Sequence, residues 1–385
     1  MASQKCETTC RLFKRCGGCQ LSMPYEEQLL WKQERVERRF SRFIKPDTII
    51  GMEKPFHYRN KTTAVVREQG RGRLLSGVFQ SSTNSVVATD DCMLEDKRSL
   101  KIIKTARELM RELKISAYNP KTDKGTVKYF LVRQSTNGQA LLLVVTSKNQ
   151  WNEKHLFAKL LSERCKNVTT ISAGVSRSRD KLVLPTECEI LTGEGFITDK
   201  LCSKTFEISP LSFYQINHTQ TEKLYSLALD MAQLRKSDTM LDCYCGIGTI
   251  GIIASDRVKK VMGVEKNSFA IEKAKRNASL CGVTNAEFTN ADAGEFMARL
   301  VEKGDKPDVV IMDPARMGCD RRFLQSLTKL SPERIVYISC NIETQERDVK
   351  ELVKQGYEVK RVAPVDMFPH TTHVETVVLM SRVER

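Results

Sequence analysis

Three segments near the C-terminal end carry groups whose types and order suit covalent catalysis. The apolar run Ile335-Val-Tyr-Ile-Ser ends on Cys340-Asn341. Upstream lies Asp313-Pro314-Ala315-Arg316-Met317-Gly318, and downstream Asp366-Met-Phe-Pro-His370-Thr-Thr-His373-Val-Glu375. A thiol and two carboxylates at strand ends and loops of one α/β unit can act on a weakly reactive ring. The nucleophile adds, a group is transferred, and a base removes a proton. Cys340 is the expected nucleophile. The bland alternative is a buried strand-end thiol, but Ser339 and Asn341 make the position polar. Glu375 is the expected base, with His370 and His373 competing for that role. Arg316 and the helix start after Asn341 are expected to lower the Cys340 pKa.

A second group of thiols opens the chain. Cys10-x5-Cys16-Gly17-Gly18-Cys19 gathers three cysteines around two glycines that allow a tight backbone path. Cys92, in Thr89-Asp-Asp-Cys92-Met, is the natural fourth ligand, and Cys6 is an alternative to Cys10. Four thiolates suit zinc or an iron–sulfur cluster, and spacing alone does not choose between them. Buried unpaired thiols are a poor explanation beside Arg11, Lys14 and Arg15.

The elements that must position these groups fall into two regions, 1–202 and 203–385. The first carries a helix over Pro24–Phe43 bearing Arg35, Arg38, Arg39 and Arg42, whose charges read equally well as a solvated face or as phosphate contacts. Short alternating runs follow at Thr62–Arg67, Leu74–Gln80, Val127–Gln134, Ala140–Ser147 and Thr170–Val175. Broken by Gly, Asn, Ser and Asp, they predict antiparallel strands and hairpins, with helices near Lys101–Leu113 and Glu153–Ser162. This region reads as a β-rich lobe carrying the cysteine cluster, and the chain's net charge of +15 suits it to binding RNA. Tyr58-Arg59-Asn60-Lys61 and Arg133 are its candidate RNA contacts.

From about Ser203, strands and helices alternate, which predicts an α/β, doubly wound Rossmann-like sheet. The strand Thr239–Cys243 leads through Tyr244 into Gly246-Ile-Gly248-Thr-Ile-Gly251, where glycines let the backbone approach a ligand. The next strand ends on Glu265, suited to ribose hydroxyls, and the one after it on Asp292, suited to an adenine amino group. Tyr244, Gly246, Glu265, Asp292 and Asp313 are therefore expected at a cofactor. The glycine pattern alone also fits a nicotinamide oxidoreductase. The basic lobe ahead of the sheet and the Asp313-Pro314 pair at the mouth of the site count against that reading.

Composition narrows the partner. Sixty-two Lys+Arg against 47 Asp+Glu give a net charge of +15, which favours a polyanion. No window approaches a membrane span and the first residues lack a signal-peptide core, so a cytoplasmic monomer is expected. Thirteen cysteines in a reducing compartment are not a disulfide framework. Cys243 and Cys245 read as walls of the glycine loop, and Cys165, Cys188, Cys202, Cys281 and Cys319 as packing.

The segments D-P-A-R-x-G, Y-x-S-C-N-x-x-T (Tyr337 to Thr344) and D-M-F-P-H-T-x-H-x-E together resemble the RNA uracil-5-methyltransferases, which use S-adenosylmethionine. Ser212-Phe213-Tyr214-Gln215-Ile-Asn217 is similar to that family's cofactor-contacting F-x-Q-x-N. The resemblance implies that Gln215 meets the methionine end of the cofactor and that Glu375, rather than a histidine, is the base. It implies a covalent Cys340–C6 adduct of uracil, with Asp313 on the N3/O4 edge. Many members carry a [4Fe–4S] cluster on C-x5-C-x2-C plus a distant cysteine, so the same metal is implied at Cys10, Cys16, Cys19 and Cys92. The chain looks most like the bacterial subgroup that methylates 23S rRNA, with tRNA the rival substrate. Ala315 departs from the proline common at its position, and the cysteine loop is expected to stand without the small RNA-binding β-barrel that many members place before it. A non-catalytic RNA-binding module is the alternative outside enzymology.

Overall fold

The structure, a computed structural model, describes residues 10–383 apart from residues 71, 81, 82, 84, 180 and 181. Two compact units share it: one gathers residues up to Ser22 with Lys54–Lys200 and Glu207–His218, the other Met23–Glu53, Leu201–Phe206 and Thr219 onward.

The first unit is built on β1 (Lys61–Gln69), β2 (Arg73–Phe79), β3 (Val86–Ala88), β4 (Val127–Gln134), β5 (Ala140–Thr146), β6 (Val168–Val175) and β7 (Glu189–Thr192). They form one sheet in the order β3-β2-β1-β4-β5-β6-β7. The helices Lys97–Glu112 and Lys154–Arg164 share a core with it, Ile102, Leu109 and Phe157 meeting Val66, Phe130 and Leu142. The expectation of antiparallel pairing holds except at one place. β5 and β6 run parallel, because the helix Lys154–Arg164 lies between them in the chain and carries it back to the same end of the sheet. A separate two-stranded sheet pairs β8 (Ile197–Leu201) with β9 (Lys204–Ile208).

The second unit holds β10 (Thr239–Cys243), β11 (Lys260–Glu265), β12 (Ala286–Asn290), β13 (Val309–Met312), β14 (Arg334–Ser339), β15 (Tyr357–Val365) and β16 (Glu375–Arg382). Their order is β12-β11-β10-β13-β14-β16-β15. The first five are parallel, while β16 runs antiparallel to both of its neighbours. β13 and β14 are buried along their whole length, as strands covered on both faces must be, which is why they read as unbroken apolar runs. The chain steps outward from β10 to β12 and returns to β13 on the other side of β10. That reversal opens a crevice at the carboxyl ends of β10 and β13, the place where such sheets bind ligands. Helix Tyr25–Phe40 belongs to this unit, with Val36 and Phe40 in the same core as Leu241, Val310, Ile335 and Leu352.

Candidate active site

Register places the expected nucleophile and base together. β14 and β16 pair antiparallel through Ser339↔Thr376, so one step further on Cys340 faces Glu375. Asp313 directly follows β13, the parallel neighbour of β14 on its other side. Arg316, on the loop after Asp313, lies close enough to the Cys340 thiol to lower its pKa. The spacing of the Tyr337–Thr344 segment has a mechanical reason. Asn341 caps the helix Ile342–Lys354 through Glu343 N–H at 3.0 Å. Its Nδ2 donates to the Arg316 carbonyl at 2.9 Å, and the Thr344 hydroxyl donates to the same carbonyl at 3.2 Å. Tyr337 and the Cys319 N–H both donate to Asp348 Oδ2 at 2.8 Å, tying the loop after Arg316 to that helix. The nucleophile strand and the arginine loop are thus fixed to one helix.

Burial governs the ionisation here. Glu375 is 2% exposed and its Oε2 has no hydrogen-bond partner among the described residues. Burial and the nearby Asp313 carboxylate push its pKa well above the usual range, with Arg316 opposing them. Burial of the Asp313 carboxyl raises it to about 7. The Cys340 thiol is pushed up to about 11, first by burial and then by Glu375 and Asp313. Arg316 pulls the thiol down, as expected, but burial and two carboxylates outweigh one guanidinium. A carboxylate with an unpaired oxygen beside a protonated thiol is an arrangement that can take up a proton.

A cleft of about 230 Å³ opens at the thiol, lined by Cys340, Arg316, Asn341, Thr372, His373 and Arg35 among others. Arg35 comes from helix Tyr25–Phe40, where it donates to the Thr372 carbonyl at 2.6 Å and to Glu343 at 2.9 Å. Arg39 and Arg42 pair with Glu346. Three of the four arginines read as solvated or phosphate-binding therefore hold this helix to the helix Ile342–Lys354. Sequence reading also missed the buried Lys32–Asp366 pair at 2.6 Å.

At the crevice, Tyr244, Gly246 and Gly248 all take positive φ (+62°, +55° and +84°), which turns the chain sharply off β10. No atom lies within 4 Å of where a Gly246 side chain would begin, so a ligand has room against this backbone. Gly251 N–H donates to the buried Asp242 at 2.8 Å, and Asp242 is raised to about 7 by burial with Asp313 and Glu265 as further causes. Glu265 ends β11 and accepts from Asn267 N–H at 2.9 Å and, loosely, from Gly246 N–H at 3.4 Å. Asp292 caps the helix Ala293–Lys303 through Gly294 N–H at 3.0 Å. Tyr244, Gly246, Glu265 and Asp313 are brought to strand ends around one crevice, with Asp292 two residues beyond β12. This open glycine turn flanked by acidic residues fits an adenosyl group.

The first unit holds the other expected residues. Gln215 is buried there, its carbonyl accepting from Asn60 Nδ2 at 3.0 Å. Arg133 is 1% exposed and donates to the carbonyls of Ser212 and Tyr214, so it cannot touch RNA; burial lowers its pKa to about 10. Tyr58 is likewise buried, which removes it as an RNA contact. Lys61, opposite Arg133 in the register, is lowered to about 8 by burial and by that arginine. Cys6 lies outside the described residues. Cys10, Cys16, Cys19 and Cys92 are half-buried free thiols. Burial first and neighbouring Cys92, Cys16 and Cys10 next raise Cys19 to about 12; Cys92 rises to about 11 through burial and Glu95. Among the described residues no three His, Cys, Asp or Glu side chains converge at metal-binding geometry. The donor chemistry nevertheless fits a soft metal, since Cys92, Cys16 and Cys10 all lie close enough to Cys19 to oppose its ionisation.

A family model described as tRNA (Uracil-5-)-methyltransferase matches residues 24–383. The chain is 37% identical over 379 residues to an RNA methyltransferase of Staphylococcus aureus, covering 97% of this chain and 83% of that one. It is 39% identical over 384 residues to an RNA methyltransferase of Oceanobacillus iheyensis, covering 98% and 83%. Its fold resembles the tRNA (uracil-54, C5)-methyltransferase of Pyrococcus abyssi, solved with S-adenosyl-L-homocysteine. There the TM-score is 0.77 and the identity 29%, over 93% of this chain and 84% of that one. A methyltransferase crevice, a thiol–carboxylate site and a match over nearly the whole length agree: the chain belongs to the tRNA (uracil-5-)-methyltransferase family and is an S-adenosylmethionine-dependent RNA methyltransferase.

Proposed function

We propose that this enzyme methylates C5 of a uridine in 23S rRNA, with Cys340 as nucleophile and Glu375 as base. The observation that carries the reading is the pairing of β14 with β16, which sets Cys340 against a buried carboxylate with an unpaired oxygen. Uracil C5 is a poor nucleophile. Cys340 loses its proton to solvent and the thiolate forms a bond from sulfur to C6 as the C5–C6 double bond opens, which makes C5 electron-rich. S-adenosylmethionine, when bound, would supply an electrophilic methyl group to C5, its S–CH3 bond breaking and S-adenosylhomocysteine leaving. Glu375 then removes the C5 proton, the C6–S bond breaks, and the thiolate is released. Asp313 holds the N3/O4 edge of the base, and Arg316 stabilises the thiolate it touches. Tyr244, Gly246, Glu265 and Asp292 hold the adenosyl part of the cofactor; Gln215 is proposed for its methionine end on its motif alone. A base in folded RNA is stacked, so the target uridine must be extruded to reach Cys340.

Cys10, Cys16, Cys19 and Cys92 are proposed to hold a [4Fe–4S] cluster, supported by their shared soft-donor chemistry. Anaerobically purified protein should then be brown, with about four irons and matching sulfide per chain and broad absorbance near about 400 nm. Stoichiometric zinc without iron overturns that assignment. The same cysteine set supports ribosomal RNA through the subgroup resemblance. The second reading, tRNA, is favoured by the fold likeness to the Pyrococcus tRNA enzyme. Label from S-adenosylmethionine, offered to unmodified 23S rRNA and to bulk tRNA and recovered as 5-methyluridine, decides between them. Label only in 23S rRNA supports the reading; label in tRNA moves the substrate and keeps the chemistry.

A further inference from the structure

Helix Tyr25–Phe40 turns one i, i+4 stripe inward: Gln28, Lys32, Val36 and Phe40. Val36 and Phe40 enter the hydrophobic core, as the apolar stripe of a helix should. Gln28 and Lys32 reach instead into the segment between β15 and β16. Lys32 Nζ lies 2.6 Å from Asp366 Oδ1 and 3.1 Å from the Phe368 carbonyl, with both side chains of the ion pair fully excluded from solvent. The Tyr25 hydroxyl donates to the other Asp366 oxygen at 2.8 Å. Gln28 Oε1 accepts from the His370 N–H at 2.9 Å, and its Nε2 meets His370 Nδ1 at 3.1 Å. Arg35 completes the row on the Thr372 carbonyl. One helix thus grips positions 366, 368, 370 and 372 in succession.

That segment leads straight into Glu375, and Val365, just before Asp366, is the register partner of Glu375. Thr372 and His373 also line the cleft at Cys340. A fully buried lysine–carboxylate pair is a poor device for stability alone, since well-packed apolar residues of similar volume usually serve as well or better. What such a pair supplies is a fixed placement of the backbone that bears it. We propose that Lys32, acting through Asp366, is a positioning residue that holds the Glu375 carboxylate at the C5 proton. The inference rests on the reading of Glu375 as base.

The test compares Lys32→Met/Asp366→Asn, which removes both buried charges together, with Glu375→Gln and the wild type. Each full-length protein is given labelled S-adenosylmethionine and the RNA that the wild type methylates. The double variant should turn over about tenfold to a hundredfold more slowly. It should accumulate an SDS-stable protein–RNA adduct carrying label, with KM for S-adenosylmethionine within about twofold of wild type. A role in structure alone would not stall the reaction after methyl transfer. Tyr25→Phe, which removes one hydrogen bond from Asp366, one from the Met52 N–H and little packing, should show the same signature at smaller amplitude and serves if the double variant does not fold. Wild-type turnover in a folded double variant, or slow turnover without adduct, overturns the positioning role. If Glu375→Gln traps no methylated adduct either, the base assignment fails and this inference fails with it; a trapped adduct in Glu375→Gln alone overturns only the role of Lys32.

Discussion

Cys340 in the second unit and Cys19 in the first are both half-buried thiols near a single guanidinium, Arg316 and Arg59 respectively. Burial is the main reason that both are poorly acidic. Their other neighbours differ. Around Cys340 stand two carboxylates on the ends of neighbouring strands, with a cleft beside them. Around Cys19 stand Cys92, Cys16 and Cys10. A thiol among carboxylates has partners that exchange protons with it, which is what addition and elimination at a ring require. Thiols among thiols have no such relief. A cation held in common would remove the repulsion between their thiolates, which would couple metal binding to proton release. On the proposed function, the same local physics, a desolvated sulfur with like-charged neighbours, would serve two chemistries according to what the neighbours can accept.

The largest expected effect separates the two sites outright. Cys340→Ala should abolish label transfer from S-adenosylmethionine to RNA, a loss of at least about 10⁴-fold, while circular dichroism and cofactor binding stay unchanged. Equal abolition by Cys16→Ser in a folded protein would break the comparison. Glu375→Gln comes next, with a kcat loss of about 10²–10⁴-fold and a methylated RNA adduct that survives SDS, because methyl transfer precedes the missing proton removal. Normal turnover in that variant would move the base to His370 or His373. Smaller still is Cys19→Ser. It should remove the absorbance near about 400 nm and lower Tm by about 5 °C or more, with residual methyl transfer at reduced temperature.

Much of the second unit is legible in sequence because parallel strands covered on both faces must be continuously apolar. β13 and β14 stand out for that reason, and so do the residues at their ends. The closeness of Cys340 and Glu375 is not legible, since it depends on β16 entering antiparallel between β14 and β15, a pairing that no local pattern encodes. Arg133 shows the opposite failure. A charged residue in a strand normally marks a solvent face, but β4 is buried on both sides and the guanidinium spends its hydrogen bonds on backbone carbonyls. Helix Tyr25–Phe40 is plain as a helix, yet its amphipathic pattern says only that one face is covered. That it belongs with the C-terminal sheet, through Lys32 and Arg35, emerges only from contacts hundreds of residues apart in the chain.

The smallest effect is also the most direct probe of the comparison, because it reads one thiol against another in a single sample. The Cys340 thiol is held near about 11 partly by the Glu375 and Asp313 carboxylates. Taking away a negative neighbour favours the thiolate, so Glu375→Gln should lower this pKa, and Arg316→Ala, which takes away a positive one, should raise it. A shift of about one unit corresponds to about 1.4 kcal/mol and, well below the midpoint, to about tenfold in thiolate population. Iodoacetamide alkylation followed peptide by peptide between pH 7 and about 9.5 measures it, since only the thiolate reacts. Cys340 in Glu375→Gln should react faster than in wild type, by up to about tenfold at the upper end of this range where the raised Glu375 carboxyl carries its charge, and in Arg316→Ala more slowly. Cys19 in metal-free protein should not change in either variant, because its ionisation is opposed by other thiols and not by these carboxylates. Parallel changes at both cysteines would mean that the substitutions act on the whole fold rather than through charge at Cys340.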